Sequence, residues 1–222
     1  MDQAKYTKEH IYDVLLEDIV SLRYKPNEFI KENELAERFR MSRTPVREVI
    51  KRLALEGYIK ITPRHGNAVT RIDIQHVRQM MQLRIVLESK VLSILTNTDD
   101  LNTLHLHNLL DEQALLIAGG DLSDDFWHSD NLFHKAIFEL ADRGIWWQLL
   151  ERFEPHYMRY RKLDISDSNK VELLFVHHKN ILRIIEEKRL IEIEDILKSH
   201  IYCCIDRIPF LIDKYPGFFC GI

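Results

Sequence analysis

The stretch Ser42–Gly57, "SRTPVREVIKRLALEG", decides what kind of chain this is. Val46, Val49, Ile50 and Leu53 recur at helical spacing and make one apolar stripe. On the other side stand Arg43, Arg47 and Lys51, four apart, so that they project from a common face. Ser42 is a good N-cap, and Pro45 falls in the first turn, where a missing N–H costs little. Thr44 sits at the exposed N-terminal end. Between Arg38 and Arg52 there are six basic residues and one acid, Glu48. By itself such a face is an ordinary solvated one; the flanking segments change that reading.

Upstream, "ENELAERF" (32–39) reads as a short helix and "RMS" as a turn. Two helices joined this tightly, the second one basic, form a helix-turn-helix whose second helix fits the ~12 Å major groove. Downstream, "YIKITP" and "NAVTRI" flank "RHG" (64–66) as two short β-runs about a tight turn. That hairpin would be a wing, with Arg64, His65 and Gly66 at its tip. Residues 7–22 carry Ile11, Val14, Leu15, Ile19 and Leu22 at helical spacing, and Pro26 breaks that helix.

From about Ile72 the periodicity is helical only, over roughly 73–95, 100–118, 121–142, 144–163, 167–187 and 189–213. "AGGD" (118–121) and "DISDSNK" (164–170) are the clearest breaks. The expected fold is mainly α. An N-terminal winged helix-turn-helix over residues 1–72 precedes a C-terminal all-helical bundle of about six helices over 73–222. Charge divides the same way: residues 1–72 carry a net +3 and the remainder −7, within a total of −4. Only the first module is therefore expected to meet a polyanion.

No apolar run approaches the ~18 residues of a membrane span, and "MDQAKYTKEH" lacks a signal-peptide core, so a cytoplasmic protein without membrane partners is expected. No GxGxxG or GxxxxGK[ST] phosphate loop occurs. The three cysteines, two of them adjacent, read as free buried thiols rather than a disulfide framework.

Four polar residues interrupt apolar stripes in the helical region. In "HSDNLFHKAI" (128–137), Asp130 and His134 lie one turn apart among Phe126, Phe133, Ile137 and Phe138. His178 falls within the stripe Val171, Leu174, Ile181, Ile185, and His200 within Ile193, Leu197, Ile201, Cys204. Any one of these alone is an ordinary core residue. Three imidazoles and a carboxylate from three helices of one bundle are together a ligand set for a divalent transition metal. Arg84, inside "MMQLRIVL", offers an inward guanidinium for a carboxylate. Arg159 and Arg161 are expected in interhelical ion pairs. His105, His107, His128, His156 and His177 are expected on the surface or in structural roles, with His177 facing away from the His178 stripe.

"ELAERFRMSRTPVREVIKRLALEGYI" resembles the winged-helix domain of GntR-family bacterial transcription regulators, over about residues 7–71. The resemblance implies a DNA-binding homodimer on a short inverted-repeat operator. It carries Arg43, Thr44 and Arg47 to bases or phosphates and places His65 and Gly66 at the wing. Ser42 and Lys51 complete that DNA face. Some members have a DNA-contacting arginine where Asn33 stands here. Residues 75–213 resemble the FCD ligand-binding domain of the FadR subgroup, through "RIVLES" (84–89), "DNLFHKAI" (130–137), "HKNILRII" (178–185) and "KSHI" (198–201). Metal-binding members use an Asp and three His in this pattern, which carry over to Asp130, His134, His178 and His200. The family position of Arg84 leans toward the ligand cavity.

The expected function is a transcription regulator, not an enzyme. A small carboxylate effector, bound beside a divalent metal such as zinc or nickel, would control its operator affinity. One alternative makes the metal itself the signal. Another is a metallohydrolase, against which no carboxylate is placed as a general base and the basic helix goes unexplained.

Overall fold

In the computed structural model, which describes residues 7–120, 124–153, 155–166 and 170–222, the chain divides into two compact units. Expectations that fall on residues 1–6, 121–123, 154 and 167–169, including the first residues of two anticipated helices, lie outside the described residues.

The first unit gathers the described residues up to Val77 together with 155–160 and 212–222. Helix α1 (Lys8–Val20) is capped by the Thr7 side chain, which accepts from the His10 amide at 3.1 Å. It buries Ile11, Leu15 and Ile19, and beyond it Leu22 turns left-handed at φ 64°. Strand β1 (Phe29–Ile30) and helix α2 (Glu32–Arg38) lead through Arg40, at φ 48°, into α3 (Arg43–Leu55). Helix α3 buries the expected stripe Val46, Val49, Ile50 and Leu53, against which α1 and α2 pack. Ser42 holds the N-cap position with extended dihedrals but makes no side-chain capping bond.

Strands β2 (Ile59–Thr62) and β3 (Gly66–Val69) form the antiparallel wing, in register from Ile59↔Val69 to Thr62↔Gly66. Arg64 at φ 66° and Gly66 at φ 104° close its turn; a glycine meets that geometry without the Cβ clash other residues incur. Strand β1 pairs with β3 to give the order β1-β3-β2. Two residues are too few to show a period, so β1 is invisible in the sequence.

A further pair departs from the all-helical expectation after Ile72: β4 (Ile72–Asp73) runs parallel to β5 (Phe219–Cys220). Beside it, Arg159 donates to the Pro155 carbonyl at 2.7 Å, the Thr70 carbonyl at 2.6 Å and Thr70 Oγ1 at 2.9 Å. The expected ion pair for Arg159 is therefore replaced by hydrogen bonds that satisfy backbone at the end of the wing.

The remaining helices are α4 (Ile74–Thr96), α5 (Leu104–Gly119), α6 (Asp124–Leu140), α7 (Gly144–Phe153), α8 (Pro155–Ser166), α9 (Val171–Glu186), α10 (Ile193–Tyr202) and α11 (Ile208–Lys214). The segment 144–163 is helical on both sides of residue 154, which lies outside the described residues. The segment 189–213 breaks at 3-10 turns over Leu190–Glu192 and Ile205–Arg207. Gly120, at φ 78°, ends α5.

In the second unit, the described residues of 78–154 and 161–211, α5 packs on α6 and α9, and α9 on α10. Phe126, Phe133, Phe138 and Trp147 fill its interior. Among the described residues no helix is long and apolar enough to cross a membrane.

Candidate functional site

Asp130 and His134 project one turn apart from α6, His178 from α9 and His200 from α10. Their residues are 1%, 0%, 0% and 5% exposed, and one ligand atom from each lies within 4.8 Å of all the others. His134 Nε2 stands 2.9 Å from His200 Nε2, and His178 Nε2 stands 3.3 Å from Asp130 Oδ1. Donors held about 2.1 Å from one ion are roughly 3.0–3.4 Å from their neighbours. Two of the donor pairs, at 2.9 and 3.3 Å, are near that spacing, and all four donors lie within 4.8 Å of one another.

What lies behind the imidazoles decides which nitrogen faces the centre. Glu88, on α4, places Oε2 3.0 Å from His134 Nδ1, and its Oε1 accepts from Arg84 Nε at 2.6 Å. Burial alone would raise the Glu88 pKa, but Arg84 and His134 outweigh it and hold it at about 2. An ionised carboxylate there keeps the His134 proton on Nδ1 and leaves Nε2 as a lone pair. His178 Nδ1 is 2.8 Å from Gln113 Oε1, and Gln113 Nε2 donates to the Ser129 carbonyl at 3.3 Å. The second bond orients the amide, so its oxygen faces His178 and fixes that tautomer too.

His178 Nε2 then turns a lone pair toward a carboxylate oxygen: acceptor faces acceptor at 3.3 Å. A cation between them satisfies both. Burial holds His134, His178 and His200 below the usual imidazole range, the last two well below it, so the rings are neutral, as ligands must be. The residues fit a divalent metal, and the cluster can hold one.

Asp130 does not depend on that cation alone. Its Oδ2 accepts from Arg161, which also donates to Asn131 Oδ1 at 2.9 Å, the interhelical ion pair expected of Arg161. Arg84 is 1% exposed and inward.

Sequence reasoning missed Glu88 and Gln113 and misplaced His177. That ring is buried, 5.7 Å from the His200 ring and 3.5 Å from Ser199 Oγ, because α9 is covered on a wider face than one stripe. His105, His107 and His128 are exposed. His156 Nδ1 accepts from the Asp73 amide at 3.2 Å, and burial with Arg159 nearby lowers its pKa to about 4. Of the cysteines, only Cys204 is buried; Cys203 and Cys220 are half-buried, against the expectation of three buried thiols.

The N-cap Ser42 and, on α3, Arg43, Thr44, Arg47 and Lys51 are all exposed. Arg47 grips Glu32 of α2 through Nη2 at 2.8 Å and Nε at 3.1–3.2 Å. Glu48 pairs with Lys8 at 2.7 Å, and Arg52 lies over the Tyr12 ring of α1 at 3.6 Å, so three of the helix's charges are engaged by other elements. His65 and Gly66 are exposed at the wing tip, with His65 Nδ1 3.1 Å from the Pro63 carbonyl. Asn33 is exposed on α2.

Residues 7–69 match the family of bacterial regulatory proteins called gntR, and residues 79–202 match the FCD domain. The chain belongs to the GntR family, with an FCD domain. The HTH-type transcriptional repressor RspR of Escherichia coli K12 is 28% identical over 205 residues, 90% of this chain and 88% of that one. The gluconate operon transcriptional repressor of Bacillus subtilis is 29% identical over 138 residues, 62% of this chain and 56% of that protein. Among solved structures, Escherichia coli McbR/YncC superposes with a TM-score of 0.72 at 19% identity, covering 94% of this chain and 98% of its own. A GntR-type regulator from Rhodococcus sp. RHA1 gives 0.70 at 16%, with the same coverage. This GntR-family protein is thus a transcription regulator of the helix-turn-helix type, and its relatives are regulators rather than enzymes.

Proposed function

We propose that this protein is a homodimeric, effector-controlled repressor. A winged helix over residues 1–72 reads an inverted-repeat operator through Arg43, Thr44 and Arg47, with Ser42, Lys51, His65 and Gly66 on phosphates. The domain over residues 73–222 dimerises and holds zinc or nickel through Asp130, His134, His178 and His200. When bound, the dication supplies open coordination positions for a small carboxylate effector, and Arg84 grips the same carboxylate. Glu88 and Gln113 hold the imidazoles in the tautomers that face the ion.

One observation carries this reading. His178 Nε2 faces Asp130 Oδ1 at 3.3 Å, lone pair to lone pair, at the centre of four buried donors from three helices. Burial of all four favours a retained, effector-anchoring metal over an exchangeable signal. The test is a melt with and without chelator. Chelation is expected to lower the melting temperature of the wild type and barely move His134→Ala/His178→Ala. Equal responses from the two proteins would remove the metal from the reading.

A further inference from the structure

Cys203 and Cys204 follow the last residue of α10 and take no part in the site above. No cysteine is in a disulfide. Cys203 Sγ donates to the His200 carbonyl at 2.9 Å and Cys204 Sγ to the Ile201 carbonyl at 3.3 Å. Neighbouring carbonyls on one helix rim thus hold both sulfurs at the same end of α10. Cys203 is half-buried and reachable, while Cys204 is 7% exposed. Lys170 Nζ donates to the Cys203 carbonyl, and the thiol lies among the charges of Lys170, Arg161 and Asp164, the carboxylate opposing the two cations. A half-exposed thiol is the one of the pair that a reagent reaches first.

The choice of chemistry follows from spacing. Adjacent Cα atoms across a trans peptide are about 3.8 Å apart. Relaxed disulfides want roughly 4.4–6.8 Å. A direct S–S bond here is strained, whereas a third atom inserted between the sulfurs relieves the mismatch. Paired thiolates are soft ligands and select thiophilic centres.

We propose that Cys203 and Cys204 form a chelating dithiol site for trivalent arsenicals. With phenylarsine oxide, present in water as its dihydroxy form, two S–H and two As–OH bonds break. Two As–S bonds form and two water molecules leave. Arsenic stays trivalent, so neither oxidant nor reductant is needed.

The test treats the native full-length protein with phenylarsine oxide, quenches it, and reads intact mass and remaining thiols. One phenylarsenic adduct per chain is expected, with free thiols, counted after unfolding, falling from three to one. The adduct should survive excess monothiol and leave with a dithiol competitor. Cys203→Ser, Cys204→Ser and Cys204→Ala should each lose the monothiol-resistant adduct, and Cys220→Ser should keep it. His134→Ala/His178→Ala should also keep it, which separates this site from the metal centre. A resistant adduct in either serine variant, its loss in Cys220→Ser, or three unchanged thiols in the wild type would each overturn the assignment.

Discussion

Glu88 and Gln113 settle which nitrogen of His134 and His178 carries the proton, although neither touches the centre itself. Partners of this kind are worth about 10–100-fold in metal affinity. Glu88→Gln should therefore weaken zinc binding by about that factor in competition with a chromophoric chelator, while the helical content stays. An affinity equal to wild type would show that the tautomer is fixed some other way. On the DNA face, Arg43→Ala or Arg47→Ala should weaken operator binding by ~1–3 kcal/mol in fluorescence anisotropy if the arginine reads a guanine bidentately. Lys51→Ala should weaken binding to every sequence alike and flatten the salt dependence. Wild-type binding by both arginine variants would displace α3 as the reading helix. The four candidate ligands were legible because each interrupts an apolar stripe. Glu88 was not: four residues from Arg84, it reads as an ordinary helical ion pair. An uncharged amide such as Gln113 leaves no signal in a charge or hydropathy pattern.

Among the elements, α3 and the wing were readable because the first repeats an apolar residue every third or fourth position and the second hinges on a turn at "RHG". Strands β1, β4 and β5 were not, since each is two residues long and is defined only by a partner far along the chain. Periodicity alone missed the 3-10 turn at Ile205–Arg207 that separates α10 from α11. Three helices also tie stability to pH through His134, His178 and His200. Burial lowers all three folded pKa values below the unfolded value of about 6.5, so the unfolded chain binds more protons in mild acid. Their contribution is full above about pH 6.5 and is lost as pH falls from there toward the depressed folded values. Metal loss runs in the same direction. The wild-type melting temperature should drop between pH 7.5 and 5, and drop less in His134→Ala/His178→Ala. A wild-type profile as flat as the double variant's would contradict neutral buried imidazoles.

For the whole molecule, an inverted-repeat operator requires two reading helices about 34–36 Å apart, hence two chains. Light scattering should give a dimer at micromolar concentration, and a monomer there would count against the operator proposed. The full chain is the right sample, because residues 155–160 and 212–222 belong to the same compact unit as the winged helix. The central claim is the metal, and elemental analysis of protein purified without an affinity tag tests it most directly. About one zinc or nickel per chain is expected, lost in His134→Ala/His178→Ala. Less than about a tenth of a metal per chain, unchanged after incubation with either ion, would contradict a built metal site.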